Sequence, residues 1–213
     1  GPPLGMLISC TKKYDIDLLI VGHYPNDSAA ANWLPEKLAR KAFCSVLVIP
    51  SKTTAYFDKI LVAVDFSDHS LNALDVGSAF AKAASIDHLY ILNTYQVPIG
   101  HRKTGNTYEE FADIMLENAK SKLRLALSKV DLKSVRIKPV FKKDKNVVSS
   151  IQRFSESLGE ALIVVGARGR SGNIAAILLG SITEGLIRTT HKPVLAVKEK
   201  GQGLNILDAF TSQ

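Results

Sequence analysis

From Lys59 onward the chain alternates between two hydrophobic periods. KILVAVDF is a short, apolar, β-branched run, as expected of a strand buried on both faces of a parallel sheet. After Ser67 and Asp68, either of which suits a helix cap, LNALDVGSAFAKAA places its apolar residues at helical spacing. HLYILNTY then reads as a strand. EEFADIMLENAKSKLRLALSKV is a long amphipathic helix, acidic near its start and basic near its end in agreement with the helix dipole. SVRIKPVF (strand), VVSSIQRFSESL (helix), ALIVVG (strand), AILLGSITEGLIRTT (helix) and KPVLAVK (strand) complete the series. Five strands alternating with helices over about 145 residues predict a doubly wound, Rossmann-like α/β domain, with a five-stranded parallel sheet and right-handed crossovers.

The first fifty residues repeat the end of that pattern. DLLIVG (17–22) matches ALIVVG (161–166), and SVLVIP (45–50) matches PVLAVK (193–198). NWLPEKLARKAF supplies a helix between the matched strands, and LGMLISCTKKY supplies another ahead of them. Residues 1–52 are therefore expected to be the carboxyl-terminal half of a second domain of the same kind. Residues 53–58 form a linker, 59–200 the complete domain and 201–213 a tail. Half a sheet leaves an unpaired strand edge and a bare apolar face. The expectation is a fragment of a longer tandem protein, or a chain that another chain completes. The tail carries Leu204, Ile206, Leu207 and Phe210 at near-helical spacing.

Composition narrows the function classes. The chain has 213 residues, 46% hydrophobic and 22% charged, which suits a globular protein with an adequate core. No apolar run approaches the ~20 residues of a membrane helix, and no signal-peptide pattern is present, so a cytoplasmic protein without membrane insertion is expected. Cys10 and Cys44, without metal-ligand spacing, read as reduced structural thiols. The formal charge of +7 favours anionic ligands. Phe141 is the one aromatic residue among the lysines of RIKPVFKKDK, too few to stack successive bases, so nucleic acid is not the expected anion. The five histidines are scattered and read as surface or loop residues, and no nucleophile, base and acid stand at a recognisable spacing. Trp33, on one stripe with Leu34 and Leu38, reads as a packing residue.

The stretch GARGRSGNIAAILLGSIT (166–183) carries the candidate chemistry. It follows a buried strand directly, at the carboxyl edge of the sheet where open α/β folds bind ligands. Gly166, Gly169, Gly172 and Gly180 would let the backbone approach phosphate oxygens, and Arg168 and Arg170 would add charge-assisted hydrogen bonds. It is neither a P-loop nor a dinucleotide fingerprint: no Lys-Ser or Lys-Thr pair follows the glycines, and the stretch follows the fourth strand.

VAVDFS near the domain start, with VVGARG, ILLGS and KPVLAVK near its end, resembles the universal stress protein family over residues 56–200. The resemblance implies a stress-response protein that binds adenine nucleotide. In the family's ATP-binding branch, G-x-x-G, nine residues and then G-S or G-T wrap the ribose and phosphates. Gly166 and Gly169 match the first pair and Gly180 and Ser181 the last, with ten residues between Gly169 and Gly180. The resemblance places Asp65 beside the adenosine, Val64 and Thr94 against the base, and Arg168, Ile182 and Thr183 in the same nucleotide site. Without the resemblance, Asp65 reads as a cap on the following helix, and Ser181 and Thr183 as hydroxyls bonded to backbone. ATP, with or without magnesium, is the implied ligand. The family's last strand often pairs across a dimer axis, so Val46 to Ile49 and Val194 to Val197 are expected either to pair within one chain or to join a homo-oligomer.

Pro25 stands where the first repeat should have its second glycine, and that copy is expected not to bind. At most slow ATP hydrolysis is expected. Two alternatives stay open: an interaction module with a vestigial site, such as a scaffold or the soluble tail of a transporter, and an adenylating enzyme of the wider adenine-binding class.

Overall fold

The computed structural model describes residues 3–23, 33–51, 53, 56–98, 105, 107–132, 134–168 and 179–199. The strands are β1 (Leu18–His23), β2 (Ser45–Pro50), β3 (Lys59–Ala63), β4 (His88–Tyr95), β5 (Arg136–Lys143), β6 (Ala161–Gly166) and β7 (Val194–Val197). The helices are α1 (Pro3–Lys13), α2 (Trp33–Lys41), α3 (Asp68–Ala83), α4 (Tyr108–Leu127), α5 (Val147–Ser157) and α6 (Ser181–Thr189).

All seven strands join one sheet in the order β1-β2-β7-β6-β3-β4-β5. β7, β6, β3, β4 and β5 are mutually parallel, as the alternating pattern predicts for a doubly wound domain. β1 and β2 are parallel to each other, and β2 meets β7 antiparallel, with Val46 opposite Ala196, Leu47 opposite Leu195 and Val48 opposite Val194. Self-pairing of the last strands is therefore realised within one chain.

Alternation of side chains along the strands builds two cores, one on each face. Ala39, Val46, Val48, Leu61, Leu92, Ile151, Ile163, Leu186 and Ile187 form the first, beneath α2, α5 and α6. Leu47, Ile60, Val62, Leu74, Leu89, Leu123, Leu162, Val164 and Leu195 form the second, beneath α3 and α4. Each fully buried aliphatic side chain contributes about 1.5–3 kcal/mol of transfer free energy.

The cap signals fix several helix ends. Of the two residues proposed to cap α3, Ser67 is the N-cap and accepts from the Ser70 amide. Thr107 and Glu110 close a capping box at the start of α4. The last helix starts later than the predicted stretch from Ala176 suggests. Leu179 and Gly180 are not helical and α6 begins at Ser181, with residues 169–178 outside the described part.

Among the described residues no helix is long and apolar enough to cross a membrane. Cys10 is exposed and Cys44 buried, both as free thiols. Trp33 starts α2, but its side chain, like the tail 201–213, Gly172, Arg170 and Pro25, lies outside the described residues.

His23 departs from expectation. It ends β1 with only 2% of its surface exposed, and among the described residues neither ring nitrogen has a hydrogen-bond partner of ordinary geometry. Burial lowers its pKa from the ordinary value.

Candidate functional site

The carboxyl ends of β3, β4 and β6 open onto a cavity of about 340 Å³. It is bounded by Ala63, Val64 and Asp65 after β3, Leu92 and Thr94 of β4, Val147 and Ile151 of α5, Val165, Gly166 and Arg168 at β6, and Gly180 to Thr183 at α6. Nine of the ten residues singled out in the sequence (Val64, Asp65, Thr94, Gly166, Arg168, Gly180, Ser181, Ile182 and Thr183) line this one space. The tenth, Gly169, lies outside the described residues.

The turn after β3 sets the position of Asp65. Val64 donates its amide to the Leu92 carbonyl (2.9 Å) and receives the Asn93 side-chain amide on its own carbonyl (2.8 Å), which locks β3 against β4. Phe66 then adopts φ +66°, a left-handed conformation uncommon for a side chain of its size. Asp65 Oδ1 accepts from the Ser67 amide (3.0 Å) and hydroxyl (2.6 Å). Asp65 thus buttresses the Ser67 cap of α3 and lines the cavity. Thr94 donates to the Ser150 hydroxyl at 3.3 Å, which ties β4 to α5.

The two ends of the glycine stretch are joined by hydrogen bonds. Gly180 donates its amide to the Ala167 carbonyl (2.8 Å), and Thr183, 2% exposed, donates its hydroxyl to the Gly166 carbonyl (2.8 Å). The Thr183 hydroxyl therefore fastens α6 to β6, as its backbone-bonding reading anticipates. Gly166 has a packing reason to be glycine: a Cβ there would sit 2.7 Å from the His69 carbonyl oxygen of α3. Gly180, at φ −63° and ψ 140°, is the N-cap of α6 without a side-chain cap. The first amides of α6 have no intrahelical acceptor and stand at the positive end of the helix dipole, beside the cavity.

Arg168 brings a positive charge to the cavity lining and Asp65 a negative one. Lys198, just past β7, has its pKa pushed down to about 8 by burial and by the Arg168 charge, while the Cys44 thiol acts in the opposite sense. Ala63, Leu92, Val147, Ile151 and Ile182 give the same cavity an apolar part of its lining.

Sequence reading missed Ser70, Leu92, Val147 and Ile151. Val147 and Ile151 stand four apart on one face of α5, and Leu92 stands two before Thr94 on one face of β4. Those spacings were available. Which face of α5 turns toward the cavity depended on the crossover. Among the described residues no group of acidic, histidine or cysteine side chains is placed to hold a metal ion.

Fold and site together define an open doubly wound α/β protein with a ligand-sized cavity at the carboxyl edge of its sheet. The model of the universal stress protein family matches residues 57–198, about two thirds of the chain. The chain belongs to the universal stress protein family. It is 32% identical over 162 residues to universal stress protein MJ0577 of Methanocaldococcus jannaschii, covering 68% of this chain and 96% of that protein. It is also 32% identical over 150 residues to universal stress protein YxiE of Bacillus subtilis, covering 67% of this chain and 99% of that protein. The solved structure of MJ0577 superposes with a TM-score of 0.56 at 28% identity, over 68% of this chain and 97% of that one. A universal stress protein from Archaeoglobus fulgidus shares the fold across 92% of this chain and 66% of its own, with a TM-score of 0.61 at 18% identity.

Proposed function

We propose that residues 59–200 are a nucleotide-binding domain that takes ATP, with residues 1–52 as the carboxyl-terminal half of a degenerate, non-binding copy. One observation carries the reading: a single cavity joins an apolar lining to the amino end of α6, with Arg168 on its wall. In this reading the adenine ring lies against Val64, Leu92 and Ile151. Asp65 accepts from the ribose, and the phosphates take the amides of Gly180 to Thr183 with Arg168. A magnesium ion, if used, would be held mainly by the phosphates. Occupancy biases how α6 packs and hence what a partner meets on that face, as a stress-responsive regulator requires.

Calorimetry with ATP and AMP in the presence of magnesium tests the reading, with a Gly180→Asp variant beside the parent chain. Aspartate is a favourable N-cap and the Gly180 backbone is in the extended region, so the variant keeps α6 while setting a negative charge against the phosphates. Saturable ATP binding lost in Gly180→Asp is the expected result. Absence of binding by the folded parent at millimolar ATP would leave the interaction-module reading in its place.

A further inference from the structure

β5 belongs to the complete repeat and stands at the opposite end of the sheet from β1. It carries four basic residues in eight positions, Arg136, Lys138, Lys142 and Lys143, and Lys145 follows it. All five are exposed. Arg136, Lys138 and Lys142 share one face of the strand, since side chains alternate.

The charges of this edge are of two kinds. Arg136 pairs with Asp87 at 3.3 Å, Lys143 with Glu109 at 3.0 Å, and Arg153 of α5 with Asp144. Lys138 and Lys142 have no acidic partner among the described residues. Each lies instead over an aromatic ring, Lys138 over Tyr90 at 5.3 Å from the ring centre and Lys142 over Phe154 at 5.7 Å. The two rings meet edge to face, with centres 5.9 Å apart, so both ammoniums gather on one aromatic pair. A ring beneath an ammonium steadies the side chain without cancelling its charge, and less freedom is then lost when an anion arrives. The pairs to Asp87 and Glu109 are exposed and cheap to exchange for a stronger anion.

Length and chemistry select the ligand. Eight strand residues extend over roughly 26 Å, far beyond one phosphate group, so the row suits an extended polyanion. An added peptide strand is a poor occupant, because Pro139 lacks an amide and lysines on an edge oppose strand pairing. Nucleic acid draws on open rings for its bases, whereas Tyr90, Phe154 and Tyr108 each already give a face to a lysine. A cleft stands toward either end of the row. One of about 370 Å³ includes Tyr90 and Lys138, and one of about 350 Å³ includes Tyr108, Lys143 and Lys145. We propose that the β5 edge binds inorganic polyphosphate, a linear polyanion without bases, with Lys138 and Lys142 as its main contacts. The site is separate from the nucleotide cavity, which opens at β3, β4 and β6.

Fluorescence anisotropy of labelled inorganic polyphosphate, titrated with the full chain at several salt concentrations, tests this site. Lys138→Gln combined with Lys142→Gln should weaken binding ~10-fold or more at about 50 mM salt, and flatten the slope of log K against log salt by roughly 1.4. Arginine at both positions should keep most of the affinity. Lys120→Gln combined with Lys122→Gln removes the same charge from α4 and should change little. Equal loss in the two glutamine pairs would reduce the effect to the net charge of +7 and overturn the site. No binding by the parent chain at low salt overturns it as well. Gly180→Asp should bind polyphosphate as the parent does, so loss in that variant would move the chain of phosphates to the nucleotide cavity and refute the β5 site. Oligouridylate or polyglutamate of matched charge that binds as tightly as polyphosphate would overturn the choice of ligand.

Discussion

Leu47 and Leu195 lie directly opposite each other across the β2–β7 pair, and they are equivalent positions of the two sequence repeats. A pseudo-two-fold axis therefore passes between them. The same relation places Glu36 and Arg40 of α2 against Glu184 and Arg188 of α6. Arg40 bridges Glu36 and Glu184, both at 3.0 Å, and Arg188 reaches Glu36 at 2.6 Å and Glu184 at 3.0 Å. Four charges at equivalent positions of the two repeats alternate in sign around the axis.

Half-burial makes this network worth more than the surface pairs. The Glu36 side chain is 10% exposed, whereas Lys120 and Glu117 are 41% and 63% exposed. Arg40→Met leaves Glu36 and Glu184 to share Arg188 alone and should destabilise the chain by about 1–2 kcal/mol in urea unfolding. Lys120→Met should change stability by less than about 0.5 kcal/mol. Equal effects of the two substitutions would show that the repeat contact gains nothing from its charges.

Most of this fold is legible because the strands are short, apolar and bounded by turn residues. HLYILNTY, ALIVVG and SVLVIP coincide with β4, β6 and β2 residue for residue. The family resemblance left the last strands to pair within one chain or in a homo-oligomer, and β2 and β7 meet within the chain. What the pattern could not carry is contact between elements distant in sequence. Glu36 and Glu184 give no sign of sharing Arg40, and Val147 gives none of facing Val64. His23 read as polar and so as exposed, but strand position overrode side-chain preference. Likewise Gly166 read as phosphate-facing, whereas the nearest claim on its missing Cβ is the α3 backbone.

That claim separates two glycines that occupy equivalent positions of the repeat. A Cβ on Gly166 meets backbone at 2.7 Å, while one on Gly22 meets nothing within 4 Å among the described residues. Backbone cannot swing aside as a side-chain tip can. Gly166→Ala should therefore cost about 2 kcal/mol or more, with weaker nucleotide binding as β6 and α3 separate. Gly22→Ala should be near neutral. Thermal unfolding of both variants decides the matter, and similar losses would mean that the strand ends are more pliable than their packing implies.

Acid should weaken the chain through His23. Its folded pKa is lowered by burial from an ordinary value of 6.5. Below that value the unfolded chain takes up a proton that the folded chain refuses, so stability falls as pH drops until the folded pKa is reached. His23→Phe keeps an aromatic ring and removes the titration. Urea midpoints between about pH 7.5 and pH 5 should fall more steeply for the parent chain than for the variant. Parallel pH profiles would count against burial as the controlling factor.

Lys198 should act at the opposite end of the pH scale. Its Nζ donates to the Arg40 and Ala42 carbonyls, each at 2.9 Å, and so holds the end of α2 onto β7. With the folded pKa at about 8 against an ordinary 10.5, the unfolded chain keeps a proton between those values that the folded chain has released. Stability contributed through Lys198 therefore rises with pH across that window and is level below it. Lys198→Met removes this slope while other lysines and tyrosines titrate alike in both proteins, so the difference between the two urea profiles isolates it. Because the Arg168 charge is one cause of the shift, an anion held by Arg168 should raise the Lys198 pKa. Adding ATP should then raise the lower edge of the window and narrow it, and the same profile difference recorded with and without nucleotide would link the cavity to the seam between the repeats. A Lys198 titration that ignores saturating ATP would place the phosphates away from Arg168.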